Sequence, residues 1–193
     1  MADTSRRIRR QHLDTLSDNH YILRRAGFDF RRADGSWQHQ MRESYDIGDG
    51  AAVLPFDRVA GSVLLIRQFR WPAFEHGYRD LVTEVIAGKL DGDSPEACAL
   101  KEAREEAGVE LSDLRQVFHC FMSPGAVKER LHLFVADYDS TRPRGAGAGI
   151  LAEGEDIETL ELSLEKALAM AAGGEIVDAK TILLLQWAAL HLR

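Results

Sequence analysis

The apolar and polar positions along the chain change rhythm several times. Residues 62–69 (SVLLIRQF) are a short, nearly continuous apolar run stopped by Trp71-Pro72, which predicts a buried strand. It is expected to pair with a shorter strand at 51–55 across the turn at 57–61. Residues 130–138 (RLHLFVADY) alternate, as a strand does. Further strands are expected at 81–86 (LVTEVI), at 114–121, which is broken by Ser123-Pro124-Gly125, and at 158–162. Two extended segments, 21–31 and 37–45, flank Ala33-Asp34-Gly35. Asp-Gly is a hairpin signal because tight hairpin turns need left-handed backbone. Helices are expected at 164–172 and 179–192, parted by Gly173-Gly174. Residues 141–154, rich in glycine and alanine with Pro143, have no periodic apolar face and read as a mobile loop. Strands mixed with a few helices, out of strict alternation and without internal repeat, predict an α+β or sandwich architecture.

The stretch around which these elements are arranged is Gly88 to Val109, GKLDGDSPEACALKEAREEAGV. Ser94 is a natural N-cap, Pro95 suits the first helical position, and Gly108 can take a left-handed C-terminal conformation. The spacing predicts a helix over 95–107. At 100° per residue, Glu102, Glu105 and Glu106 share about a third of the circle, with Leu100, Ala103 and Ala107 on the other side. Carboxylates that close repel one another unless a cation lies among them, and oxygen-only ligands suit Mg²⁺ or Mn²⁺. The competing reading is a solvated acidic face, supported by the i,i+4 pair Lys101/Glu105. Asp93, beside the cap, supports the helix N-terminus.

Composition narrows the field. A chain of 193 residues, 45% hydrophobic, suffices for one domain with a real core and a small extra element. Lys and Arg number 24 against 31 Asp and Glu, a net charge of −7, which argues against nucleic acid as a partner but not against a small phosphorylated ligand. Two cysteines, Cys98 and Cys120, make neither a disulfide framework nor a metal spacing, as expected for a cytoplasmic protein. No apolar run reaches membrane-spanning length. Arg6, Arg7, Arg9 and Arg10 are followed by no apolar segment, so the start is expected to be a frayed tail or a helical turn, not a secretory signal. His119 and His132 fall in predicted strands as core or edge residues, and the other histidines show no metal spacing.

With these residues in place, the chain resembles the Nudix hydrolases. KEAREEAGV matches the tail of their box, G-x5-E-x7-R-E-U-x-E-E-x-G-U with U apolar, with Lys101 for arginine. The head departs, because Asp93 replaces the first glutamate and one residue is missing after Gly88. Beyond the box, SDNHYIL, DGSWQHQMRESYD, VLLIRQFR, MSPGAVKERLHLFVADY, GEDIETLEL and GEIVDAKTILLL resemble the ADP-ribose/nucleotide-sugar pyrophosphatase group, most of all its bacterial GDP-mannose pyrophosphatases. The resemblance implies an α/β/α sandwich around a mixed sheet, with the box as loop–helix–loop. It implies an N-terminal tail and hairpin over 1–48, used in dimerisation and in contacting the partner's substrate, and a hydrolase domain over 49–193.

The resemblance also implies roles for single residues. Glu102, Glu106 and the Ala87 carbonyl would ligate the metal, with Gly88 keeping that backbone accessible. Glu105 would support a second ion or metal-bound water. Glu155 would be the remaining metal-binding glutamate and the general base, with Glu153 as the alternative base. Arg70, His20, Met41, Arg42, Glu43, Gly88, Lys89, Glu129 and Lys180 fall at substrate-binding positions. For Lys180 the alternative is a solvated residue at a helix N-terminus. Two positions depart from the group: His20, beside Tyr21, replaces a tyrosine, and Met41 replaces a lysine. Both bear on base or sugar recognition rather than on the reaction. The expected activity is Mg²⁺-dependent hydrolysis of a nucleoside diphosphate sugar of the GDP-mannose type, to a nucleoside monophosphate and a sugar 1-phosphate. ADP-ribose is the alternative substrate. A third reading, a non-catalytic nucleotide-binding regulator, expects loss of the metal acids, whereas Glu102, Glu105 and Glu106 are all present.

Overall fold

A computed structural model describes residues 3–147, 149, 154 and 156–192. The chain divides into two units, Met1–Asp49 with Phe121–Glu129, and Gly50–Cys120 with Arg130–Arg193. Among the described residues no helix is long and apolar enough to cross a membrane.

The first unit is a four-stranded sheet of β1 (Ile8–Asp18), β2 (Ile22–Arg31), β3 (Trp37–Asp46) and β9 (Val127–Lys128), in that order. The hairpin predicted around Asp34-Gly35 is β2–β3, with Arg31 opposite Trp37 and Ile22 opposite Asp46. The N-terminus departs from expectation in part. Arg6 and Arg7 lie in one turn of 3-10 helix at Ser5–Arg7, and Arg9 and Arg10 lie in strand β1, antiparallel to β2. Its cohesion is cross-strand charge, not apolar alternation: Arg25 meets Asp14 at 3.2 Å, and Arg9 meets Asp29 at 3.4 Å while stacking on Trp37 at 3.8 Å. Strand β9 was not expected either. It pairs with β3 in parallel, and Lys128 meets Asp46 at 2.8 Å.

The second unit is built on a mixed sheet in the order β11–β5–β4–β10–β8, with β6 paired to β5 and β7 to β4. The strands are β4 (Gly50–Asp57), β5 (Ser62–Gln68), β6 (Val82–Glu84), β7 (Ile86–Lys89), β8 (Ser112–Phe121), β10 (Arg130–Asp137) and β11 (Glu158–Ser163). The helices are α1 (Trp71–Glu75), α2 (Pro95–Ala107), α3 (Leu164–Gly173) and α4 (Ala179–His191). Ala51 and Val53 of β4, Leu64 and Ile66 of β5, and Phe134 and Ala136 of β10 share one core with Cys98, Ala99, Ala103 and Ala107 of α2. Their alternates, Ala52, Leu54, Val63, Leu65, Leu133 and Val135, are buried as well and face the other way. On that side α4 meets β4 and β10, burying Leu184, Leu185 and Ala188, and α3 lies against α4. The central strands read as continuous apolar runs because both faces are covered, which makes this unit an α/β/α sandwich.

Three boundaries depart from the sequence reading for local reasons. Strand β4 runs through Asp57, two residues beyond Pro55. Proline is tolerated there because β7 pairs only with Gly50–Val53 and β5 only with Phe56 and Asp57, so Pro55 faces a gap in the ladder on that side. Trp71-Pro72 does not merely end β5. It begins helix α1, with proline in the first turn. The strand expected over 81–86 is two strands, because the chain changes partner from β5 to β4 at Val85. The Val85 N–H, left out of both ladders, donates to Thr181 Oγ1 at 2.7 Å.

Candidate active site

Helix α2 spans Pro95–Ala107, as the sequence predicts, and its ends show why. Ser94 accepts the Ala97 N–H at 3.2 Å. Gly108 has φ 66°, and N–H groups of Gly108 and Val109 return to the Arg104 and Ala103 carbonyls at 3.1 Å each. Small buried residues on the sheet side, Cys98, Ala99, Ala103 and Ala107, let the helix come close to β7. The buried Cys98 thiol donates to the Lys89 carbonyl at 3.2 Å. Burial, then the nearby Glu102 charge, pushes its pKa up to about 11, which favours the neutral thiol.

Close approach places two glutamates on consecutive residues of β7. Glu106 is buried and its Oε2 accepts the Ala87 N–H at 3.1 Å. Glu102, one turn earlier, lies over Gly88: a Cβ added there would overlap the Glu102 carboxylate and come within 2.7 Å of its Cγ. Gly88 is needed for space, since its backbone is not left-handed. Glu105 leans the other way, its Oε2 3.7 Å from Lys101 Nζ. The segment after β10 meets the end of α2, where Gly145 N–H donates to the Gly108 carbonyl at 2.8 Å and Gly149 N–H to the Glu105 carbonyl at 3.1 Å. Glu153 and Glu155 lie outside the described residues.

A buried charge cluster is built on Glu84, three residues before Ala87 in the chain. Glu84, the last residue of β6, receives Arg70 Nε on Oε2 at 2.8 Å and Lys180 Nζ on Oε1 at 2.7 Å. Lys180 also donates to Asp178 Oδ1 at 3.0 Å, and Asp178 caps α4 by accepting the Thr181 N–H at 2.9 Å. Lys180 is therefore buried and doubly paired, not solvated. Burial alone would lower its pKa. The Glu84 and Asp178 carboxylates outweigh that and raise it, so the ammonium is kept charged. Sequence reasoning passed over Glu84 and Asp178. The available signal was Glu84 itself, a carboxylate inside the apolar run LVTEVI, which burial would force to find cations. Two residues before Arg70, Gln68 is buried and its Nε2 has no hydrogen-bond partner.

The remaining sequence-derived positions belong to the first unit or its border. His20 is exposed in the β1–β2 turn, its ring 4.3 Å from that of Tyr21, which stands edge-on to Tyr45 at 5.4 Å. Met41, Arg42 and Glu43 are exposed on β3, and Arg42 Nη1 donates to the Met41 carbonyl at 2.7 Å. Glu129 is half-buried between β9 and β10.

Among the described residues no three His, Cys, Asp or Glu side chains converge as a ready metal site. The donors at β7 nevertheless fit a hard divalent cation. Glu102 and Glu106 are carboxylates one helical turn apart, held against the backbone of Ala87 and Gly88, and the Cys98 thiol is turned to a carbonyl.

The sandwich and its glutamate helix define the class, and comparison with known sequences agrees. Residues 46–185 match the family model described as NUDIX domain, and the chain belongs to that family. Nudix hydrolases generally use divalent metal ions. Residues 7–45 match a second model, described as GDP-mannose pyrophosphatase NudK N-terminal domain. Among individual relatives, the chain is 47% identical over 173 residues to the GDP-mannose pyrophosphatase of Citrobacter koseri, covering 89% of this chain and 90% of the relative. It is 46% identical over 174 residues to that of Pectobacterium atrosepticum, covering 90% and 89%. To that of Klebsiella pneumoniae it is 45% identical over 173 residues, covering 89% and 86%.

Proposed function

We propose that this protein hydrolyses the pyrophosphate of a nucleoside diphosphate sugar of the GDP-mannose type, with Mg²⁺, giving a nucleoside monophosphate and a sugar 1-phosphate. The observation that carries this reading is the docking of Glu102 and Glu106 onto Gly88 and Ala87, with the Arg70–Glu84–Lys180 cluster beside it in the same unit. The kinship to GDP-mannose pyrophosphatases supports the choice of substrate.

Glu102, Glu106 and the Ala87 carbonyl are the groups that would hold the cation, whose chemistry is to neutralise phosphate charge and to acidify a water. The Ala87 N–H keeps the Glu106 carboxylate turned onto β7, and Gly88 leaves Glu102 room to lie beside it. Glu105, off that face, is suited to orient water. Arg70 and Lys180 supply N–H donors to phosphate oxygens. Glu155, or Glu153, takes a proton from the attacking water as general base. On the first unit, His20, Met41, Arg42, Glu43 and Glu129 are proposed to serve base and sugar recognition in a homodimer, and the protein is proposed to work in the cytoplasm. Gly88 and Lys89 complete the substrate-contacting set.

The test is kcat/KM over a panel of nucleotide sugars and ADP-ribose with Mg²⁺. GDP-mannose is expected to lead. A lead by ADP-ribose would replace the substrate and keep the chemistry, and no turnover of any member would refute the enzyme. Sedimentation showing only a 21.6 kDa monomer would remove the dimer.

A further inference from the structure

Glu84 touches two cations at once with a side chain that is 6% exposed. A cluster that served only the fold would be complete without Arg70, since Lys180 already has two carboxylates and a side chain 11% exposed. Arg70 is different, being 44% exposed and anchored by its Nε edge. Among the described residues, its Nη1 and Nη2 atoms make no hydrogen bond, and Glu84 is its one ion-pair partner. The guanidinium is thus fixed from behind on a buried carboxylate, with its two-nitrogen edge open, the edge that matches a phosphate. Lys180 spends two N–H groups on Glu84 and Asp178 and keeps a third. Glu84 precedes Ala87 by three residues, so the backbone of the residue that anchors both cations lies within about 10 Å of the backbone that α2's glutamates grip.

We propose that Glu84 is a positioning residue that sets Arg70 and Lys180 as a cation pair for the diphosphate of the substrate without touching it. The inference rests on the nucleotide-sugar reading of the site. Adjacent like charges spread apart unless an anion holds them, and Glu84 does so with one oxygen for each. The two cations and two carboxylates cancel, so the cluster attracts an anion by aimed donors and not by net charge. Net-charge and positioning accounts then predict opposite signs for Glu84→Gln. Removing the carboxylate charge adds positive potential, which by itself tightens anion binding. Loss of the anchor loosens the donors, which weakens it.

The experiment compares the full-length wild type with Glu84→Gln in steady state and by calorimetric titration with inorganic pyrophosphate. Positioning predicts KM raised about tenfold with kcat changed less than about threefold, and pyrophosphate bound about tenfold more weakly, the scale of one charge-assisted hydrogen bond. In an Arg70→Ala background, Glu84→Gln should add less than about twofold, because its effect runs through Arg70. KM and pyrophosphate affinity unchanged or improved, or full additivity with Arg70→Ala, would overturn the proposal. If Glu84→Gln fails to fold, Glu84→Asp, which keeps the charge but is too short for both cations, is read by the same criteria. A wild type that turns over no nucleotide sugar but loses pyrophosphate affinity on Glu84→Gln would sink the substrate reading and leave the cation pair standing.

Discussion

Substituting Gly88 by alanine separates the site from the fold more cleanly than removing a glutamate. The backbone there is not left-handed, so alanine brings no conformational strain. The added Cβ would coincide with the Glu102 carboxylate and lie 2.7 Å from Glu102 Cγ, closer than Cβ contacts in real structures. Glu102 is half-buried and unbranched, so the chain relieves the clash by turning that side chain away, not by moving β7. The stability cost is then at the low end of overpacking, about 1 kcal/mol. For a chain of this size that lowers the melting midpoint by about 2–4 °C. Activity responds differently, because displacing a site group by about 1 Å costs on the order of 100-fold. The assay is kcat against Mg²⁺ concentration alongside a thermal melt. Gly88→Ala is expected to lose about 100-fold in kcat/KM and to need more Mg²⁺, while melting almost as the wild type does. In Gly88→Ala/Glu102→Ala the melting loss should vanish and the activity loss persist. A single variant within about threefold of wild-type activity would refute the argument that Glu102 works from the space over Gly88.

Other substitutions test the frame around the site. Thr181→Val removes the hydroxyl that accepts the Val85 N–H and donates to Asp178 Oδ2, leaving a buried N–H unpaired. The expected loss is about 1–3 kcal/mol in denaturant unfolding, and no loss would show that Val85 finds another partner. Asp57 is buried, and hydrogen bonds from Ser140 first, then from Ala60 and Val59, hold its carboxyl well below the usual carboxylate range. Its contribution is therefore present above about pH 4 and lost as pH falls through the depressed value. Asp57→Asn should be destabilised by about 1–3 kcal/mol at pH 7, with the gap from wild type closing below about pH 4, and a gap that stays constant with pH would contradict this. Iodoacetamide at pH 8 should leave Cys98 unmodified in the native protein and alkylate it after denaturation. Native labelling, read by peptide mass, would show that the helix–sheet contact opens.

Much of the frame of the candidate site is legible in the sequence because its signals are local. Ser94, Pro95 and Gly108 mark the ends of α2 whatever surrounds it, and Asp34-Gly35 marks the turn of its hairpin. What sequence could not show depends on partners far along the chain. Strand β1 has no apolar alternation, and its arginines read as a tail until Asp29 and the aromatic ring of Trp37 are brought beside them. The break at Val85 needs Thr181, and the pairing of Lys180 needs Glu84, 96 residues away in each case. For the same reason the sequence alone leaves Lys180 as either a phosphate ligand or a solvated residue. Its charge is buried, and only the tertiary structure shows the carboxylates that hold it. The glutamates of α2 stand in one short stretch, while the ion pairs of Glu84 are assembled from Arg70 before α1, Glu84 on β6 and Lys180 on α4.

The central claim is cation-dependent hydrolysis of a nucleotide sugar at the glutamates that grip β7. The most direct measurement follows GDP-mannose by ³¹P NMR with Mg²⁺, for the wild type, the wild type with chelator, and Glu106→Gln. The pyrophosphate resonances should give way to those of GMP and mannose 1-phosphate in the first sample alone, with the other two slowed at least about 100-fold. Intact GDP-mannose in all three, or equal cleavage by Glu106→Gln, would contradict the account.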